Sequence, residues 1–90
     1  MGTAAIKIKL MPESPSSDIK QIEEAAEKTI TSDGGWNVSF SEEPIAFGLK
    51  AIYASFAWPE EKELDPLEQK LGQLNDVKSA EISDMRRAIG

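Results

Sequence analysis

Two hydrophobic rhythms take turns along this chain, and the order of their alternation constrains the fold more than any other feature. Between Ala5 and Leu10, the apolar residues Ile6, Ile8 and Leu10 alternate with Lys7 and Lys9, the period of a strand with one wet face. Met11-Pro12-Glu13-Ser14-Pro15 breaks that strand, and Ser16-Ser17-Asp18 then offers side-chain oxygens where a helix needs a cap. Ile19, Ile22, Ala25, Ala26 and Ile30 recur at steps of three and four, which predicts an amphipathic helix of about three turns. Asp33-Gly34-Gly35 ends the helix. A second alternating run follows, with Trp36, Val38 and Phe40 on one face and Asn37, Ser39 and Ser41 on the other.

The third run, Leu49 to Trp58, sets Ile52, Ala54, Phe56 and Trp58 against Tyr53, Ser55 and Ala57, and is expected to be the longest strand. Pro59 to Glu63 is a charged connector. Leu64, Leu67, Leu71 and Leu74 form a second helical stripe with Gly72 inside it, at a cost of about 1 kcal/mol relative to alanine, and Asn75-Asp76 turns the chain out of it. Val77 to Met85 reads as a last strand with Ala80 and Ile82 inward and Ser79, Glu81 and Ser83 outward, followed by Arg86-Arg87 and a short tail. The order is βαββαβ. Alternating strands and two one-sided helices suit one four-stranded antiparallel sheet with both helices on one face, and right-handed crossovers then give a ferredoxin-like α+β sandwich. Residues 1–90 make a single domain in this reading, and the other sheet face, carrying Lys7, Lys9, Asn37, Ser39, Tyr53 and Ser55, is polar and open to a partner.

Composition narrows the chemistry. The 90 residues include no cysteine and no histidine, which removes thiolate nucleophiles, disulfides, the common zinc sites and the side chain best suited to proton transfer near neutral pH. Lysines at 7 and 9 interrupt the amino-terminal apolar residues, so no signal peptide or membrane span is expected there, and the chain reads as cytoplasmic. Glu23-Glu24 with Glu27, and Glu60-Glu61-Glu63 with Asp65, lack the spaced aspartates and glycine of a calcium loop, and read as wet faces of helices and a loop. The net charge of −6 and scattered basic residues oppose nucleic-acid binding. An RNA-recognition domain shares this element order but stacks bases on aromatics where this chain has Lys7, Lys9, Tyr53 and Ser55. Met11 to Asp18 has neither the glycine nor the arginine of an acylphosphatase-like phosphate cradle. A small regulatory domain that binds a metabolite, or pairs with itself through the open sheet, is the alternative reading from another functional class.

The candidate site is the joint between the second and third runs, Glu42-Glu43-Pro44-Ile45-Ala46-Phe47-Gly48-Leu49-Lys50. Pro44 fixes its own φ and cannot donate to a ladder, while Gly48 permits a bulge or a close approach, so a stiff but irregular joint is expected. Neither a helix nor a tight turn requires the Phe-Gly pair. Phe47 is free to project as an apolar probe, its alternative role being to seal one end of the core.

Three segments taken together carry a resemblance. The opening strand with Met11-Pro12-Glu13-Ser14-Pro15, the run Glu43-Pro44-Ile45-Ala46-Phe47-Gly48-Leu49-Lys50-Ala51, and the closing Val77-Lys78-Ser79-Ala80-Glu81-Ile82 resemble the archaeal translation elongation factor 1-beta family, in order over nearly the whole chain. The chain is also similar to the carboxy-terminal exchange domain of the eukaryotic beta and delta subunits. The resemblance implies a guanine nucleotide exchange factor for elongation factor 1-alpha in protein synthesis, with no cofactor of its own and monomeric when free. It implies further that Phe47, with Gly48 and Lys50 beside it, and a basic residue near the carboxy terminus contact the GTPase near its nucleotide and magnesium. Arg87 falls where the eukaryotic proteins have a penultimate lysine, with Arg86 as its equal neighbour. The departure matters because a guanidinium is a planar fork and an ammonium a compact point charge. In this reading Phe47 wedges at the switch region, Arg87 disturbs the magnesium, and Lys50 and the polar sheet residues help docking.

Overall fold

Residue identities explain where each element begins and ends. The computed structural model describes residues 2–88, so residues 89–90 of the expected tail lie outside the described residues. The elements are β1 (Thr3–Pro12), α1 (Ile19–Ser32), β2 (Trp36–Pro44), β3 (Lys50–Pro59), α2 (Asp65–Gly72) and β4 (Val77–Ala88). Asp18 caps α1, its carboxylate accepting the Gln21 N–H at 3.2 Å. With 14 residues the helix runs nearly four turns, longer than its apolar stripe suggests. Gly35 is required at its exit, because a Cβ there would stand 2.5 Å from Cγ2 of Ile30. In α2, Asp65-Pro66 opens the first turn and Gly72 is the last helical residue. The interior glycine penalty expected at Gly72 therefore does not arise.

The four strands form one antiparallel sheet in the order β2-β3-β1-β4, the ferredoxin-like arrangement. Alternate residues Ala4, Ile6, Ile8 and Leu10 of β1 and Ile52, Ala54, Phe56 and Trp58 of β3 are buried with Ile22, Ala26 and Ile30 of α1 and Leu67 and Leu71 of α2, in one core on one side of the sheet. Each isoleucine, leucine or phenylalanine among them contributes about 1.5–3 kcal/mol by leaving water, and each alanine less. Phe56 and Trp58 pack edge to face at 5.9 Å. A polar clasp ties the helices at the far end of α1, which has no basic residue in its own last turn. Lys70 reaches the Asp33 carboxylate at 2.9 Å, and Lys62 donates to the Asp33 carbonyl while lying over the Trp58 ring. Trp58 in turn donates to the Lys62 carbonyl at 3.0 Å.

Three register shifts interrupt the sheet; the one at Met11–Pro12 leaves Lys78 as an extra residue at the start of β4, and the other two correct the expected pattern. Trp36 pairs with Ala57, but the next pair is Ser39 with Ser55, so β2 holds one residue more than β3 in this stretch, and Asn37 takes a φ of 56°. The extra residue reverses the alternation: Val38 and Phe40 pack on the core as expected, whereas Trp36 shares the open face with Ala57 and is 42% exposed. The second irregularity lies in β4, where Lys7 faces Asp84 but Ile8 faces Ile82, leaving Ser83 as the extra residue. There the Ile82 N–H donates to Glu68 of α2 at 2.9 Å. Past this bulge β4 stays paired with β1 to Ala88, which makes it, at 12 residues, longer than the 10-residue β3 expected to be the longest. Arg86 and Arg87 are strand residues rather than a loose tail.

Candidate functional site

The β2–β3 hairpin ends in an exposed tip. Every residue from Ser41 to Lys50 is exposed except Leu49, which is half-buried. At its tip the Leu49 N–H donates to the Ala46 carbonyl at 3.0 Å, and the Ile45 N–H to the Leu49 carbonyl at 2.9 Å. Phe47 and Gly48 sit between these bonds at φ of 56° and 79°. Positive φ at both central residues is the signature of a type I′ hairpin turn, whose twist matches that of the flanking strands. The joint is thus a tight turn, which the sequence reading did not expect, closed on a bulge, which it did: Ile45 and Ala46 both bond to Leu49, and the Phe-Gly pair occupies the two central positions of the turn. Gly48 meets the requirement at no steric cost.

Phe47 does not. Asparagine, aspartate and glycine are the residues that suit the first central position, and for an aromatic residue φ near +56° is strained, at a cost of about 1–2 kcal/mol. Nothing in the fold offsets that cost, because the ring is 95% exposed and seals no part of the core. A large apolar ring therefore stands in water on a strained backbone at the end of the hairpin. Ile45, 47% exposed, and Pro15, whose ring flanks Gly48, extend the apolar surface at its base. Lys50 stands opposite Pro44 at the root of the turn, 3.9 Å from the Glu42 carboxylate. Behind them Glu23 of α1 faces the same carboxylate; burial first, and the Glu42 charge second, push the Glu23 carboxyl above its ordinary range, against the pull of Lys20.

The basic pair lies elsewhere. Arg86 faces Ala5 on the open side of the sheet and pairs with Asp84 at 3.0 Å. Arg87 faces Ala4, a core-side position, and among the described residues no carboxylate lies within ion-pair distance of it. Adjacent in sequence, the two arginines therefore point to opposite faces. The row Trp58–Ala4–Arg87 is separated from the row Ile52–Leu10–Ala80 by six β1 residues, about 20 Å of strand, and Phe47 lies beyond the latter. In a molecule 42 Å long, the fold brings Phe47, Gly48 and Lys50 together at one end and sets Arg86 and Arg87 at the other. One bound magnesium ion cannot touch both groups. Sequence reasoning missed Trp36 as a surface residue; the signal was Asn37, a residue that tolerates positive φ, inside an otherwise alternating run. Among the described residues no cluster of acidic side chains is arranged to hold a metal ion.

Comparison with known proteins places this geometry in a family. Residues 5–88 match the EF-1 guanine nucleotide exchange domain. An elongation factor 1-beta of Methanosphaera stadtmanae is 35% identical over 99% of this chain and 100% of its own length. Those of Methanosarcina barkeri, at 34% over 97% of this chain and 99% of its own, and Methanococcus maripaludis, at 32% over 94% and 97%, are similar throughout. The chain belongs to the EF-1 guanine nucleotide exchange domain family, whose role is nucleotide exchange in translation elongation. The match is to an exchange domain and not to a metabolite-binding one.

Proposed function

We propose that this member of the EF-1 guanine nucleotide exchange domain family promotes GDP release from, and GTP reloading of, elongation factor 1-alpha, acting in the cytoplasm as a monomer. The observation that carries the proposal is Phe47: an aromatic ring almost fully in water, on a backbone angle it disfavours, has no role in the free fold and is fully formed for insertion into a partner. In this reading the molecule is a strut with two working ends. Phe47, backed by Gly48 and Lys50, enters an apolar pocket of the GTPase, while the β4 end presents Arg87, with Arg86 beside it, to the phosphate and magnesium region. In this reading the two contacts fall on different parts of the GTPase, the ring anchoring and the guanidinium disturbing the nucleotide.

Exchange of this kind needs no chemistry of its own, and no bond is made or broken. If the strut binds the nucleotide-free GTPase more tightly than the GDP-bound form, GDP weakens the strut by the same factor, because the two bindings are linked. Each tenfold gain in GDP release takes about 1.4 kcal/mol off the dissociation barrier, so a thousandfold gain asks for about 4 kcal/mol. Burying the Phe47 ring contributes about 1.5–3 kcal/mol, and a cation competing for phosphate or magnesium ligands is of the size needed for the remainder. The test is a pull-down with nucleotide-free elongation factor 1-alpha: a complex dispersed by GDP with magnesium is expected, and failure to form one overturns the proposal.

A further inference from the structure

The open face of the sheet holds a second feature that neither working end uses. The bulge at Asn37 turns the Trp36 indole away from Val38 and Phe40 and onto this face. Bulges of this kind re-aim a side chain. The register then lays out a row of four residues straight across the sheet: Trp36 on β2, Ala57 on β3, Ala5 on β1 and Arg86 on β4. Two alanines between an indole and a guanidinium make a trough, and beside Ala5 the floor drops into a depression of about 230 Å³ bordered by Lys7, Ser55 and Asp84. Along the middle of the trough run Lys7 and Lys9. Lys7 lies over the Tyr53 ring at 5.6 Å, and among the described residues no carboxylate comes within 4.0 Å of either lysine.

Size and charge identify what fits. Three inter-strand spacings separate the Trp36 and Arg86 rims, about 14 Å, which admits one α-helix of about 10–12 Å diameter lying along the strands. Lys7 and Lys9, two residues apart on one strand, are spaced by about 6.7 Å, close to the rise of about 6 Å between helix positions four residues apart. We propose that the open face is the seat for an acidic amphipathic α-helix of the GTPase, with carboxylates one turn apart on Lys7 and Lys9 and an apolar side chain against Trp36. Lys7 and Lys9 make no ion pair among the described residues and are open to incoming carboxylates, while Glu81 and Asp84 opposite them on β4 call for a neutral or basic flank on the same helix. A nucleic-acid strand fits less well, because it has no cation to set against Glu81 and Asp84, which stand opposite the same two lysines. The inference rests on the exchange-factor reading and adds a third contact to its two ends.

The experiment uses the full chain and nucleotide-free elongation factor 1-alpha. Carbodiimide joins an amine directly to a carboxylate it touches; mapped by mass spectrometry, Lys7 and Lys9 are expected to couple to two acidic residues three or four apart in one helix of the GTPase. In chain labelled with 5-fluorotryptophan, the Trp36 fluorine signal, assigned by its absence in Trp36→Phe, is expected to lose its H2O/D2O isotope shift in the complex. The double substitution Lys7→Glu with Lys9→Glu is expected to weaken the complex at least tenfold and to flatten its salt dependence. The inference falls if the complex forms while Trp36 keeps its isotope shift, if coupling lands in a loop, or if it joins two copies of this chain. A complex that forms and then fails these readings overturns the seat alone, whereas no complex at all overturns the exchange proposal with it.

Discussion

Replacing Phe47 with asparagine should make the protein more stable and less active, and the two effects separate the cost of the ring from its use. Phe47 holds φ at 56° with its side chain 95% exposed, so the folded state gains almost nothing from the ring and bears the left-handed backbone strain of about 1–2 kcal/mol. Asparagine suits the first central position of a type I′ turn and relieves most of that strain. Phe47→Asn is therefore expected to stabilise the fold by about 1 kcal/mol, which for a domain of this size raises the thermal midpoint by about 4–8 °C. Circular dichroism melts read this directly. Phe47→Ala is the control: alanine keeps a Cβ at the same φ, so its midpoint should stay close to that of the parent. In binding, either substitution forfeits the burial of a phenyl ring, about 1.5–3 kcal/mol, so affinity for nucleotide-free elongation factor 1-alpha should fall by about ten- to a hundredfold. An unchanged or lower midpoint for Phe47→Asn would refute the strain argument. Full exchange activity in a folded variant would refute the claim that the ring is there for a partner.

Other expectations can be checked with the same assays. Arg87→Ala should slow GDP release while Arg86→Ala, whose side chain is already held by Asp84, should matter less; equal and negligible effects would show that the carboxy-terminal alignment is wrong. Glu23→Gln should raise the melting temperature at neutral pH. Because the carboxyl of Glu23 is pushed up in the folded state, its share of stability is present below the ordinary glutamate range and is lost as pH rises through the raised value, so the difference between variant and parent should vanish in acid. Leu67→Ala, at a fully buried position of α2, should cost about 2–5 kcal/mol in denaturant unfolding, and the variant should retain exchange activity where it is folded, since Leu67 is remote from both ends.

What the sequence made legible was whatever depends on period. Ile6, Ile8 and Leu10, Ile52 to Trp58, and the stripes of Ile22, Ala26, Ile30, Leu67 and Leu71 announce their buried faces because a side chain's direction repeats every 2 or 3.6 residues. The element order and the ferredoxin-like sheet follow from them. What stayed hidden was set by single backbone choices. Asn37 at positive φ moves Trp36 from one face to the other, and the Ser83 bulge lets β4 continue to Ala88, although neither changes the composition of its run. The turn at Phe47 was obscured for the opposite reason: the residue there is a poor match to its backbone, and propensity reads only residues that suit their place. Sequence order carries no distance, so it ends the last strand before Arg86 and Arg87 and leaves their separation from Phe47 open; the pairing of β4 with β1 is what carries them to the far end. The motif Met11 to Pro15, expected to break the first strand and part of the resemblance, instead supplies the last two residues of β1, and its Pro15 lies against Gly48.

The central claim is that a rigid two-ended strut opens a GTPase without chemistry, and stopped-flow release of fluorescent GDP from elongation factor 1-alpha tests it most directly. With increasing chain concentration the release rate should climb to a plateau, and Phe47→Ala at the same concentrations should fall well short of it. A release rate that is the same with and without the chain, under conditions where the chain is folded, would contradict the account.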